Sequence, residues 1–173
     1  MGANRKQQMM STWFLFLCQF SVLAFAIVGG VFLAFSDFIM RSLDRANTPD
    51  GINVMQVINR EVFKYVFIPL FLGMTAVSLV IVGYAYMHLT GLAATLIIIG
   101  AGIYIVGVFG VTVVFNVPMN KRLAAAEYTS DAALSYWKST YLPSWTFWNS
   151  VRTIASVAAA GCLLSVLVWL TRG

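Results

Sequence analysis

Four long apolar stretches, separated by segments that carry nearly all of the charges, constrain this chain more than any other feature. Each stretch approaches or exceeds the ~20 residues that an α-helix needs to cross a hydrocarbon core of ~30 Å. A soluble helix of this length would carry a polar face, whereas only Lys64, near the start of the second stretch, places a charge inside these. The predicted membrane-spanning stretches are residues 12–35, 63–87, 92–115 and 154–170.

Composition also indicates an integral membrane protein. Hydrophobic residues make up 60% of the chain and charged residues 10%, whereas a soluble domain has roughly 25% charged residues. The first stretch is longer than the apolar core of about 7–15 residues in a signal peptide, and Phe35-Ser36-Asp37 at its end is no cleavage site. We assign the net charge of +5 to interfacial anchors and anionic lipid, and expect no nucleic-acid partner.

The layout of the connections predicts where the polar groups gather. With four spans, the two long connections lie on the same side of the membrane. The first contains a turn signal at residues 48–51 followed by an amphipathic helical pattern at 52–59, and the second is rich in Tyr and Trp at 136–148. We therefore predict an all-α, integral membrane four-helix bundle, a single domain over residues 1–173, with short helical cap segments in the two long loops.

Two further features bear on helix geometry and packing. Pro69 is expected to kink the second span, because proline lacks the N–H that an interior helical residue donates. Small residues spaced four apart let helix backbones approach closely in membranes. The predicted close-packing pairs are Gly30 with Ala34, Ala155 with Ala159, and Gly161 with Ser165.

Polar side chains stand at the ends of all four spans on the side of the long connections. Ionisable and amide groups at membrane depth are costly and generally pair with one another or serve function. Their spacing, for example three residues between Gln56 and Asn59, places neighbours on one helix face. The predicted site residues are Asp37, Gln56, Asn59, Asn116, Asn120, Trp145, Asn149 and Arg152.

Each of these residues also has a purely structural interpretation. Asp37 lies four residues before Arg41 and is equally placed to form a surface ion pair. Asn116 is placed to cap the helix that Pro118 starts, and Arg152 to extend towards lipid headgroups. A buried polar network that ties the four helices together is therefore an alternative to a ligand site.

Residues that bind metals are scarce. The single histidine, His88, lies in the short turn on the side away from the polar connections, and Cys18 and Cys162 lie inside predicted spans. A thiol in such a position acts as a small hydrophobic group. No metal site and no cofactor is expected.

Four dispersed segments resemble members of the anthrone oxygenase (DUF1772) family, in the same order along the chain. The resemblance implies a small, multi-pass, four-helix protein of the bacterial inner membrane. Fungal members are associated with oxidising anthrones to anthraquinones in polyketide pathways, without an identified cofactor. They carry a histidine near the last segment, where this chain has Asn149 and Ser150. The segments are GGVFLAFSDFIM (29–40), MQVINR (55–60), FNVPMNKRL (115–123) and WTFWNSVRT (145–153).

The resemblance implies a cofactor-independent oxygenase acting on a hydrophobic, anthrone-like aromatic compound within the membrane. In that role we expect Asp37, made more basic by burial, to remove a proton, and Arg152 to stabilise the resulting anion. The six other predicted residues would bind substrate. The alternative is a non-catalytic accessory subunit of a larger membrane complex, or a lipid- or quinone-binding protein. Expected partners are membrane lipid, a hydrophobic small molecule and, for the alternative, other membrane subunits.

Overall fold

A computed structural model describes residues 10–171, and within that range the chain forms helices and no strand. Four helices are long and apolar enough to cross a membrane, and a shorter amphipathic helix lies between the first two of them. The predicted all-α bundle with four membrane spans is confirmed. The helices are α1 (Thr12–Arg45), α2 (Thr48–Glu61), α3 (Phe67–His88), α4 (Gly91–Ala124) and α5 (Asp131–Leu170).

The long helices extend well beyond the apolar stretches into the polar connections. The end of α1, the end of α4 and the first turns of α5 therefore form most of the cap, together with α2. The predicted kink at Pro69 is wrong, because α3 begins only at Phe67 after a 3₁₀ turn at Val62–Lys64 and an extended Tyr65. Proline is tolerated in a first helical turn, where its missing N–H has no intrahelical partner.

Three of the long helices contain π-helical turns, in which the backbone hydrogen bonds span one residue more than in an α-helix. These turns change the angular position of the residues that follow, so a simple 3.6-residue periodicity does not carry through them. The π-helical segments are Phe35–Ile39 in α1, Tyr104–Gly110 and Thr112–Asn116 in α4, and Trp137–Tyr141 in α5.

The bundle has two hydrophobic cores. The transmembrane core joins α1, α3, α4 and α5, and includes the stacked rings of Phe25 and Tyr104, 4.2 Å apart between centroids. The cap core is separate and is built around the fully buried side chains of Met40, Ile52 and Trp137. A layer of polar side chains lies near the junction of the two cores.

Close helix approach depends on glycines other than the predicted ones. A methyl group on Gly107 would lie 2.7 Å from Cβ of Ala155, and one on Gly100 would lie 2.8 Å from Cβ of Cys162. Gly30 and Gly161 have open space where a side chain would stand. Ala155 and Ala159 are buried as the close-packing prediction requires. At the close contacts α5 therefore contributes alanines, and the helices packed against it contribute glycines.

Candidate functional site

A cavity of about 110 Å³ lies near the junction of the transmembrane and cap cores. Residues of all five helices line it. This volume is several times the roughly 10–15 Å³ that one water molecule requires. Its aromatic lining consists of Phe32, Phe35, Phe63, Phe67, Phe71 and Trp145. Its polar lining consists of Asn59, Thr112, Asn120, Asn149 and Arg152.

Among the residues that the structure describes, Arg152 is the only charged one in the cavity lining, and it is 5% exposed. Nη2 donates to Oδ1 of Asn149 at 2.6 Å and Nη1 to Oγ1 of Thr112 at 3.2 Å. Nε is buried and has no hydrogen-bond partner. The guanidinium also lies 4.2 Å from the ring centroid of Phe32, so each of its contacts is with a neutral group.

No carboxylate of the described part of the chain neutralises Arg152. Among residues 10–171 the one ion pair joins Lys64 to Glu61, and both of these side chains are exposed. A buried charge is ordinarily paired, because the effective desolvation penalty is several kcal/mol per ion. The cavity therefore holds a positive charge that favours an anionic ligand.

Asn149 holds the Arg152 guanidinium in place. Its Nδ2 donates to the carbonyl oxygen of Phe32 and to Oγ of Ser36, both at 2.6 Å. Because that carbonyl only accepts, the amide is oriented with Oδ1 towards Arg152. Ser150 donates to the same Ser36 hydroxyl at 3.0 Å. With both of its hydrogens engaged by α1, Asn149 is a positioning residue and has no donor left for a ligand.

Asn120 faces the cavity in a fixed orientation. Tyr141 Oη and Trp145 Nε1 both donate to its Oδ1 at 2.8 Å. The indole N–H is a donor only, so the amide oxygen must be the atom that meets it. Asn59 Nδ2 lies 3.5 Å from the Tyr141 hydroxyl, a long hydrogen bond. The amide nitrogen of Asn120 has no partner among the described residues.

Two predicted site residues are close to the cavity but do not line it. Gln56 is buried and donates to the carbonyl oxygens of Leu123 and Ala126 at 2.8 and 2.9 Å. It thereby adds a donor to carbonyls at the end of α4, where the α-helical pattern supplies no partner; the Leu123 carbonyl also accepts from the Ala126 N–H at 3.2 Å. Asn116 donates to the carbonyl of Trp145 at 3.3 Å, and its own Oδ1 is buried without a partner. Both residues tie helices together.

The expectation that Asp37 is buried in the site is wrong. Asp37 is exposed and is absent from the cavity lining. It follows Ser36, which faces α5, and both lie in the π turn Phe35–Ile39, where consecutive residues point in different directions. The ion pair proposed as its structural alternative is also not formed with Arg41, since the described residues contain only the Lys64–Glu61 pair. Of the eight predicted residues, Asn59, Asn120, Trp145, Asn149 and Arg152 line the cavity.

Sequence reasoning missed two residues that hold the site together. Thr112 contacts Arg152, and Ser36 accepts from both Asn149 and Ser150. Thr112 and Ser36 both lie inside π turns. Residue spacing does not fix which face of the helix a residue takes there, so no signal in the sequence identified either of them.

Elsewhere among the described residues, two depressions with polar lining lie open on the surface of the cap, and Lys138 borders both. No group of three or more His, Cys, Asp or Glu residues is placed to hold a metal ion in that part of the chain. A wider groove of about 570 Å³ lies between the beginning of α1 and the end of α5, and its lining is aliphatic and sulfur-containing apart from Gln19.

Comparison with known proteins gives one match. A family model described as anthrone oxygenase matches residues 60–162, more than half of the chain. The matched range contains Asn120, Trp145, Asn149 and Arg152. No curated protein and no solved structure matches.

Proposed function

The chain belongs to the anthrone oxygenase family, and we propose that its cavity binds the anion of a hydrophobic aromatic carbon acid, which reacts there with dioxygen. The observation that carries this proposal is Arg152, a buried guanidinium without a counter-ion at the wall of an aromatic cavity. A bound enolate oxygen would supply the missing negative charge.

The aromatic lining favours a flat ring system over an acyl chain. Aromatic rings prefer offset-stacked or edge-to-face contacts with other rings, worth about 0.5–1.5 kcal/mol per pair beyond area burial. The four long helices around the cavity are apolar enough to span a membrane, so a ligand dissolved in the bilayer would lie next to the protein. A carbon acid of this kind is hydrophobic when neutral and acquires its charge only on losing a proton.

The reaction requires no cofactor in this proposal. The C–H carbon of the substrate loses a proton to give an enolate, whose electron pair forms a new carbon–oxygen bond with dioxygen through single-electron transfer and recombination. The peroxide takes up a proton and then loses water. The CH₂ group thus becomes a carbonyl, one oxygen atom enters the product and the other leaves as water.

Arg152 stabilises the negative charge of the enolate oxygen, which is the form that reacts. One preorganised donor to a developing oxyanion is worth about 3–4 kcal/mol, or about 10²–10³ in rate. Asn149 and Thr112 fix the guanidinium, so little reorganisation is needed when charge develops. Since no described Asp, Glu or His lines the cavity, the proton passes to water, aided by the lowered pKa of a substrate beside Arg152.

That lack of an acid–base side chain favours a second candidate, a protein that binds an aromatic anion or quinone without turning it over. Binding uses the same cavity and the same Arg152. The two candidates differ only in whether oxygen is consumed.

The test is oxygen uptake by the full chain, purified in mild detergent, with anthrone as the probe. We expect uptake and anthraquinone formation that fall by about 10²-fold in Arg152→Gln. Arg122→Gln, at an exposed arginine that stacks on Tyr136 outside the cavity, is the matched control and should act like wild type. Anthrone binding without uptake would support the binding role. Absence of both binding and uptake would overturn the proposal.

A further inference from the structure

Asn120 offers a second, unused pair of hydrogen-bond donors in the same cavity. Trp145 and Tyr141 fix its amide oxygen, so the NH₂ group cannot flip away without leaving the indole N–H unpaired. A half-buried amide held in this way is preorganised as a donor, and the cavity is where its ligand would lie.

The two donor groups stand at different levels along α4. Arg152 contacts Thr112, which is eight residues before Asn120 on α4, or roughly 12 Å along a helix axis. The ring of Trp145 lies between them, with the Arg152 guanidinium 5.3 Å from its centroid and its Nε1 bonded to Asn120. Two hydrogen bonds of about 2.9 Å leave room between the donors for one aromatic ring.

We propose that Asn120 is a ligand-contacting residue that donates to an oxygen on the edge of the bound ring opposite to Arg152. The ligand class is then an aromatic compound with an anionic oxygen at one edge and a hydrogen-bond acceptor at the other. This inference rests on the proposed function. In the oxygenation, the edge across the ring from the enolate oxygen is where dioxygen adds, so Asn120 meets the peroxide and then the new carbonyl.

Two ligands of similar shape isolate the contact. 4-Acetylbenzoate has a carboxylate at one edge and a carbonyl acceptor at the other, whereas 4-isopropylbenzoate has the carboxylate alone. Their affinities are measured by calorimetry on the full chain in detergent. A single neutral hydrogen bond contributes about threefold to tenfold in affinity. In Asn120→Leu we therefore expect the affinity for 4-acetylbenzoate, relative to that for 4-isopropylbenzoate, to fall by about this factor.

Asn120→Asp separates the ligand contact from the structural role. The aspartate still accepts from Tyr141 and Trp145 but lacks the amide donors, so it should lose the preference for the acetyl compound while keeping the cap packed. Its negative charge repels both benzoates alike, so the ratio of the two affinities is the measure. Asn53→Leu, at an exposed position of α2, is the control and should leave the ratio unchanged. A structural defect alone would weaken both ligands equally and leave the ratio intact.

The outcomes distinguish this inference from the proposed function. If Arg152→Gln weakens both ligands but the Asn120 variants keep the wild-type ratio, the second contact is wrong and the proposed function stands. If Arg152→Gln weakens neither ligand, the anion site itself is wrong. A loss of the ratio in both Asn120 variants, with Arg152→Gln lowering both affinities, supports the inference.

Discussion

Arg152 dominates the site at the scale of single residues because it is a buried charge among neutral partners. Its two terminal nitrogens donate to Asn149 and Thr112, and its Nε remains without a partner. Stacking on an aromatic face recovers up to about 2 kcal/mol for a desolvated cation, which is less than the desolvation penalty of several kcal/mol. The free protein therefore holds Arg152 at a cost in stability.

Replacing Arg152 by methionine should stabilise the ligand-free protein. Methionine fills most of the space of the arginine stem and needs no counter-ion, so the desolvation penalty of several kcal/mol for the charge is removed. The Oδ1 of Asn149 loses its donor, but a buried unsatisfied acceptor costs only about 1–3 kcal/mol. Thermal unfolding in detergent measures the change. Arg122→Met, at the surface, should stay within about 0.5 kcal/mol of wild type. A large loss of stability in Arg152→Met would mean that its hydrogen bonds outweigh its burial.

Substituting Asp37 by asparagine should leave ligand binding and oxygen uptake unchanged. Its carboxylate is exposed and does not line the cavity, so removing its charge alters nothing that contacts the ligand. The measurement is the pair of assays already described, made on Asp37→Asn beside Arg152→Gln. Loss of uptake in Asp37→Asn would restore the original assignment of Asp37 as the base.

At the scale of elements, π turns lie next to the site on three helices. In α1, the turn Phe35–Ile39 presents Ser36 to Asn149. In α4, the turn Thr112–Asn116 begins with Thr112, a partner of Arg152. In α5, the turn Trp137–Tyr141 ends with Tyr141, a partner of Asn120. Such turns are frequent at functional sites because they alter which residues face the interior. Here the π turns direct hydroxyl groups into the polar layer. An unbroken α-helix would point the same hydroxyl groups in other directions.

Helix packing should respond very differently to two glycines of α4. A methyl at Gly100 meets Cβ of Cys162 at 2.8 Å and the carbonyl oxygen of Ala159 at 3.1 Å, whereas one at Gly102 meets nothing within 4 Å. Gly100→Ala should therefore destabilise the bundle by about 1–3 kcal/mol through overpacking. Gly102→Ala should be neutral or stabilise by up to about 1 kcal/mol, from helix propensity alone.

Thermal unfolding of the two variants in the same detergent measures this difference. The pair is matched in residue type, helix and substitution, so intrinsic propensity cancels. Equal stabilities for the two variants would show that α4 and α5 are able to move apart at no cost, contrary to the close contact at Gly100.

At the scale of the whole molecule, the two hydrophobic cores hold different parts of the fold together. The transmembrane core holds the four spans together, and the cap core joins the ends of α1, α4 and α5 to α2. The cavity takes residues from all five helices, so it exists only when both cores are assembled. Loss of cap packing should therefore affect the site even where the spans remain inserted.

Four spans place the cap and the short turn between α3 and α4 on opposite sides of the membrane. Single cysteines at Asp44 and Glu127, in the cap, should react with a membrane-impermeant maleimide from one side of oriented vesicles. A cysteine at His88 should react only from the other side. These positions are exposed, whereas the native Cys18 is buried, and a variant lacking both native cysteines removes any background.

Labelling of all three positions from one side would contradict the four-span arrangement. This experiment also tests the prediction that residues 1–173 form one four-span domain, which stays a prediction. The division between cap side and turn side does not depend on which of them faces the cytoplasm.

The sequence by itself determined the architecture of this protein. Continuous apolar stretches of about 20 residues form helices in a bilayer, because only a helix satisfies all the backbone hydrogen bonds of a spanning segment within that segment. The same logic predicted that amides at the span ends, such as Asn120 and Asn149, would line one pocket with Arg152 on one side of the bundle. Both predictions depend only on the length of each apolar stretch and on the polarity and position of its residues, and all of these can be read directly from the sequence.

Only the tertiary structure decided which polar groups face the cavity and what each of them does. Asp37 turns outward because it follows Ser36 inside a π turn, and Asn149 is a positioning residue because α1 happens to present a carbonyl to it. Gly29 rather than Gly30 meets Ser156 of α5 for a similar reason. The angular register of a helix and the partners opposite it depend on backbone geometry and on distant residues, neither of which a periodic pattern contains.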